Sequence, residues 1–162
     1  MPNYKGHLAG GIVVFAMVFS SICMMQKPSL SIAMEWLIFT LAGALFPDID
    51  IKSKGQKYFY YAVFLFFIVL AARQQFVTVT CCSFIFITPM LVRHRGIFHH
   101  PLFVIAVPIM CWAFLSTIIT PYTSRRLLWD TMFFIAGALS HIWLDVGTRH
   151  MVRGMFGRKK RW

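Results

Sequence analysis

Long apolar runs separated by short polar breaks fill nearly the whole chain, and their lengths predict membrane-crossing helices. A spanning helix needs roughly 20 mostly apolar residues and can shorten to about 17. Six segments approach that length: Leu8 to Gln26, Leu30 to Phe46, Tyr58 to Ala72, Phe76 to Val92, Pro101 to Thr120 and Leu127 to Val146. The second admits only Glu35 and stops at Pro47. The third is short and aromatic, and through Arg73-Gln74-Gln75 it predicts a tight helical hairpin with the fourth. Its apolar stretch matches a bilayer only with local thinning or with interfacial anchoring by Tyr58, Tyr60 and Tyr61, so five spans is the alternative count. The expected fold class is all-α, a polytopic transmembrane helix bundle of about six spans.

Composition supports this and bounds it. With 59% hydrophobic and 13% charged residues, 162 residues make one domain, too oily for an ordinary water-soluble one. Residues 1–162 are expected to form a single integral membrane domain with a short basic C-terminal tail from about residue 149 to residue 162. Lys5 and the run behind it would suit a signal peptide, but no small-residue cleavage site follows, so the first span is expected to persist. Cys23, Cys81, Cys82 and Cys111 lie inside apolar runs without C-x-x-C spacing, which predicts buried reduced thiols. Most Met and Phe side chains are expected to face lipid or pack.

The distribution of Lys and Arg orients the six-span arrangement. Lys5, Lys52, Lys54, Lys57, Arg93, Arg95, Arg149, Arg153, Arg158, Lys159, Lys160 and Arg161 fall on one side; Lys27, Arg73, Arg125 and Arg126 fall on the other. The positive-inside rule then puts both termini in the cytoplasm.

Five polar islands interrupt the apolar background: His7, Pro47-Asp48-Ile49-Asp50, His94 to His100, His141 and Asp145. They hold three of the five carboxylates and five of the six histidines. Ionisable groups are expensive at membrane depth and seldom idle there. In the six-span topology all five islands reach the cytoplasmic face, a convergence that predicts one shared site.

Each island admits a chemical and a structural reading. His141 and Asp145, four apart, project from one helix face. They suit two ligands of one metal, a carboxylate orienting a histidine, or a hydrogen bond that pins the helix. Asp48 and Asp50 repel unless a cation, or Lys52 and Lys54, lies close by. His94, His99 and His100 put three imidazoles in seven residues, a cluster that reads as a metal site for zinc, manganese, iron or nickel. Adjacent His99 and His100 would point about 100° apart on a helix, so one ligates while the other serves as acid, base or substrate contact. Arg93 and Arg95 can balance carboxylates, grip a phosphate or simply anchor the inner face. Arg126 and Asp130, an i, i+4 pair on the other side, read as structural, as does Glu35.

Gly6-His7-Leu8, Leu45-Phe46-Pro47-Asp48-Ile49-Asp50, His94-Arg95-Gly96-x-x-His99 and Ser140-His141-x-x-x-Asp145 resemble, in the same order, the signatures of the YdjM-like membrane-bound metal-dependent hydrolases. That family is also described as LexA-binding, inner-membrane-associated hydrolases. The motifs cover nearly the whole chain. The resemblance implies a bacterial or archaeal inner-membrane protein with a metal centre built from His7, Asp48, Asp50, His94, His99, His141 and Asp145. Two departures stand out: Phe98 and His100 replace the Thr and Ser common in relatives, and Ile51 replaces a frequent histidine.

The expected function is metal-dependent hydrolysis at the cytoplasmic membrane face, with one or two divalent ions, zinc or manganese. The substrate class is a phosphoester or other bond of a lipid-like amphiphile. Arg95 would contact phosphate and His100 would shuttle a proton. A metal-binding or regulatory membrane protein without turnover is the alternative, and cation transport ranks lower because the ligands gather at one face. The tail Arg158-Lys159-Lys160-Arg161 is expected to hold anionic lipid rather than nucleic acid, for which no groove or aromatic platform is evident.

Overall fold

A computed structural model describes residues 4–49, 54–72, 74, 83 and 98–156, and among them every regular element is a helix. Helix α1 covers Tyr4–Gln26, α2 Leu30–Leu45, α3 Lys54–Ala72, α4 Pro101–Ser116 and α5 Pro121–Phe156. The expected fourth span, from Phe76 to Val92, lies outside the described residues.

Among the described residues three helical segments are long and apolar enough to cross a membrane: Tyr4–Gln26, Leu30–Asp48 and Pro121–Asp145. Helix α4 is apolar but has only 16 residues. Helix α3 opens on Lys54, Gly55, Gln56 and Lys57, four residues ahead of its apolar run.

Local chemistry sets the helix ends. Helix α1 stops where Lys27 turns left-handed (φ 43°) and donates its N–H to the Cys23 carbonyl, and Pro28 prevents continuation. Ser29 is extended and caps α2. Pro47 breaks α2, and Phe46–Asp48 tightens into a single 3-10 turn closed by Ile49 N–H to the Phe46 carbonyl at 3.2 Å. His100 is extended and Pro101 takes the first position of α4, where its missing N–H costs nothing. Residues 117–120, expected to prolong that span, form a turn instead. Pro121 then starts α5 six residues before the expected Leu127, and the helix runs on to Phe156. Trp112 ties this corner together by donating Nε1–H to the Ser124 carbonyl at 3.0 Å.

Helices α2 and α5 form the central pair, with α1 and α4 packed against it. Lipid tails are as apolar as leucine, so packing must hold such a pair together, and small residues allow it. Gly43 of α2 lies against the backbone of α5, where an added Cβ would strike the Phe134 carbonyl oxygen. Gly137 of α5 lies against α2, where a Cβ would strike the Thr40 carbonyl oxygen. The two backbones therefore touch at reciprocal glycines. On one side of this crossing Trp36 stacks on Phe133, with ring centroids 4.8 Å apart. On the other, Leu45, Ile49, Phe59 and Phe98 make an apolar cluster beneath the 3-10 turn.

The outer surfaces of the described helices carry exposed apolar side chains: Ile12, Val13 and Met17 on α1, Ile38 on α2, Met110 and Phe114 on α4. An apolar patch of this extent suits lipid contact. Met17, Met24, Met34 and Met110 are exposed on the outer surfaces, and Phe59, Phe98 and Phe133 pack in the interior, the two placements expected of Met and Phe. Cys23 and Cys111 are free thiols, and Cys81 and Cys82 lie outside the described residues.

Candidate metal centre

The α2–α5 crossing builds one end of the bundle. Because Gly137 lets α5 lie directly on α2, His141, one turn further along α5, reaches the exposed last carbonyls of α2. Its Nδ1–H donates to the Ala44 carbonyl at 2.7 Å. A carbonyl can only accept, so Nδ1 carries the hydrogen, and in the neutral imidazole Nε2 is left with a lone pair. That lone pair faces other acceptors.

Asp48 comes from the 3-10 turn that Pro47 forces at the end of α2. Asp145 stands one turn beyond His141. His99 precedes α4 and leans across from the third side. The His141 Nε2 atom lies 3.5 Å from Asp48 Oδ1 and 3.4 Å from Asp145 Oδ2; the His99 Nε2 atom lies 3.5 Å and 3.7 Å from the same two oxygens. Each of the four residues offers one ligand atom, and these atoms all lie within 4.8 Å of one another.

The site is closed on the α5 side and open on the other. His141 is fully buried and Asp145 is 5% exposed, whereas Asp48 and His99 are 24% and 23% exposed. Both His141 Nε2 and Asp145 Oδ1 are buried and, among the described residues, have no hydrogen-bond partner. Isolated groups of this kind cost about 1–3 kcal/mol each, so a positive centre among them is the natural remedy.

The donor set fits a metal ion. Two imidazole nitrogens and two carboxylate oxygens suit zinc and its neighbours. The separations exceed those of N–H···O hydrogen bonds. They approach the ~3.4 Å edge of a tetrahedron whose ligands lie about 2.1 Å from a common centre.

His7 belongs to the same end. It is 2% exposed, its ring stacks on His141 with centroids 3.7 Å apart and planes 12° off parallel, and its Nε2 lies 3.5 Å from Asp145 Oδ1. It therefore touches a carboxylate of the group without being one of the four. His100 is exposed at the cap of α4, with its carbonyl accepting from Phe103 and Val104. It stands outside the four. Asp50, His94 and Arg95, together with Arg93, lie outside the described residues.

Phe98, the departure beside His99, is 5% exposed and packs edge-on against Phe46 and Phe103. It secures the start of the His99 segment, a role that its place in a polar cluster did not suggest. The Ala44 carbonyl is equally invisible to residue-type reasoning. A short residue following Gly43 at the end of an apolar run was the available signal.

At the other end of the bundle the Arg126–Asp130 pairing expected from i, i+4 spacing gives way to a tertiary one. Arg126 forks onto Glu35 of α2, with Nε 2.9 Å and 3.2 Å from the two carboxylate oxygens and NH2 also in contact. Asp130 is turned inward and buried.

Apolar helices with lipid-type surfaces and a cluster of metal-ligating side chains at one end define an integral membrane protein with a group that could bind a metal ion. The chain belongs to the YdjM inner membrane protein family, whose family model matches residues 1–156. No curated protein and no solved structure matches it significantly.

Proposed function

We propose that the chain is a membrane-embedded, metal-dependent hydrolase of the inner membrane, acting at the cytoplasmic face on a phosphoester or related bond of a lipid-like amphiphile. One observation carries the reading: His141, locked by Ala44, directs an unpartnered Nε2 at two carboxylate oxygens 3.4–3.5 Å away. Such a collection of acceptors is poorly stable without a cation.

Asp48, His99, His141 and Asp145 would hold a divalent ion, zinc or manganese. Asp50 and His94 would extend the set toward a second ion. His7 would orient Asp145 and stack on His141, as groups behind metal ligands commonly do. When bound, the ion supplies Lewis acidity, lowering the pKa of water and neutralising charge on the attacked group. The half-open edge at Asp48 and His99 supports catalysis, since catalytic sites keep a position free. Arg95 would contact phosphate, and exposed His100 beside His99 would carry a proton to or from solvent. We place this site in a single domain of six spans with both termini cytoplasmic, supported by the Lys and Arg bias. The basic tail would rest on anionic lipid.

The burial of His141 and Asp145 favours a second reading, a metal-binding or regulatory protein whose ion is structural. Transport has less support, because the opposite end of the bundle offers an Arg126–Glu35 pair rather than a second ligand set.

Elemental analysis of the detergent-purified protein tests the reading, with His141→Ala and Asp145→Ala alongside and a panel of phosphoester and lipid substrates. The expected result is near-stoichiometric metal in the wild type, its loss in both variants, and metal-dependent turnover. Metal without turnover on any substrate selects the structural reading. Metal undiminished in both variants rejects the centre.

A further inference from the structure

The opposite end of the bundle holds a second concentration of charge. Arg126 and Asp145 lie on one uninterrupted helix, and their spacing in sequence corresponds to about 28 Å at 1.5 Å per residue. That is close to the ~30 Å of a hydrocarbon core, so the Arg126 end reaches the headgroup region of the other leaflet.

There the end of α1 and the starts of α2 and α5 enclose a cavity of about 500 Å³. Lys27, Arg125 and Arg126 line it together with Trp36, Trp129 and Tyr122, and no carboxylate does. Glu35 engages Arg126, but among the described residues no carboxylate pairs with Lys27 or Arg125. The first turns of α2 and α5 both begin at this cavity, and each adds partial positive charge. Trp36 forms part of the inner wall: it is 3% exposed, and among the described residues its buried Nε1–H has no acceptor.

We propose that this cavity binds a phosphate-bearing anion, the headgroup of an anionic phospholipid. Lys27 and Arg125 supply the charge, with Arg125 able to grip phosphate oxygens in a fork. Trp36 supplies a neutral N–H. Trp129 and Tyr122 flank the headgroup and glycerol region, as aromatic side chains do at membrane interfaces. The aromatic walls of this open cavity favour a lipid over free phosphate. This site is independent of the metal centre.

Native mass spectrometry of the full chain in detergent tests it, using phosphatidylglycerol, phosphatidylcholine and inorganic phosphate as probes. A Lys159→Gln/Lys160→Gln variant serves as reference for binding at the tail. In the tail variant, where binding at the tail is reduced, phosphatidylglycerol should still bind at least about tenfold more tightly than phosphatidylcholine. Lys27→Gln/Arg125→Gln should weaken it roughly tenfold or more, the equivalent of losing one charge-assisted contact. Trp36→Phe, which keeps the ring packing, should weaken it by a smaller factor with an unchanged unfolding temperature. Competition by millimolar phosphate would identify the phosphate group alone as the ligand; absence of competition would identify the whole headgroup. Equal binding of the two lipids would overturn the proposal. So would phosphatidylglycerol binding that survives both Lys27→Gln/Arg125→Gln and Trp36→Phe.

Discussion

His141 donates its Nδ1 hydrogen to the Ala44 carbonyl across 2.7 Å, joining the last turn of α2 to α5 at the point where the metal-ligand group begins. Side-chain chemistry alone does not create this bond. It exists because the helix backbones meet at Gly43 and Gly137, which leaves no room for a side chain between them.

Gly137→Ala should therefore damage the site without altering a ligand. Its Cβ would press on the Thr40 carbonyl and force the helices apart, at a cost of about 1–3 kcal/mol, the usual range for overpacking. A lower unfolding temperature in detergent together with reduced metal content is the expected outcome. An unchanged metal content at lowered stability would show that the crossing holds the bundle but not the centre.

His7→Phe keeps a flat ring over His141 while removing the nitrogen that lies 3.5 Å from Asp145. Metal affinity should fall by about 10–100-fold, the range seen when a group behind a ligand is lost. Competition against a chromophoric chelator measures it. A fall as complete as that of Asp145→Ala would make His7 a direct ligand.

His99→Ala and His100→Ala should behave differently although the residues are adjacent. The first removes one of the four ligand atoms and should lower metal content. The second should leave metal content at the wild-type level and reduce only turnover. Metal analysis and rate measurement on the same preparations separate the two effects.

Glu35→Gln removes the charge that holds Arg126 at the far end. Half-exposed pairs of this kind are worth up to about 1 kcal/mol, so a small drop in unfolding temperature is expected, with metal content unaffected. Loss of metal in this variant would mean that the two ends are not independent.

Much of this arrangement was legible in the sequence because it depends on local rules. Proline marked the end of α2 at Pro47 and the start of α4 at Pro101, whereas the start of α5 at Pro121 was placed six residues too late. The spacing of His141 and Asp145 placed both on one face of a helix. Asp48, His99, His141 and Asp145 stood out as ionisable breaks in apolar runs, and the structure brings these four together. What could not be read depends on contacts between distant segments. Arg126 has an acidic neighbour one turn away, yet it turns to Glu35, because a residue on another helix offers a better fork than Asp130, which faces inward. Phe98 was visible only as an exception to a family pattern, and its burial against Phe46 and Phe103 is a property of the assembled bundle. His7 was named with the site in the sequence, but its stacking on His141 and its approach to Asp145 became visible only once α1 packed against α5.

The reciprocal glycines also give α5 a fulcrum. Arg126 and Asp145 sit on opposite arms of one stiff rod that rests on α2 at Gly137. A tilt about that pivot large enough to carry Asp145 away from Asp48 would swing Arg126 the other way, so neither polar end of the protein can be remodelled by moving this helix without disturbing its counterpart.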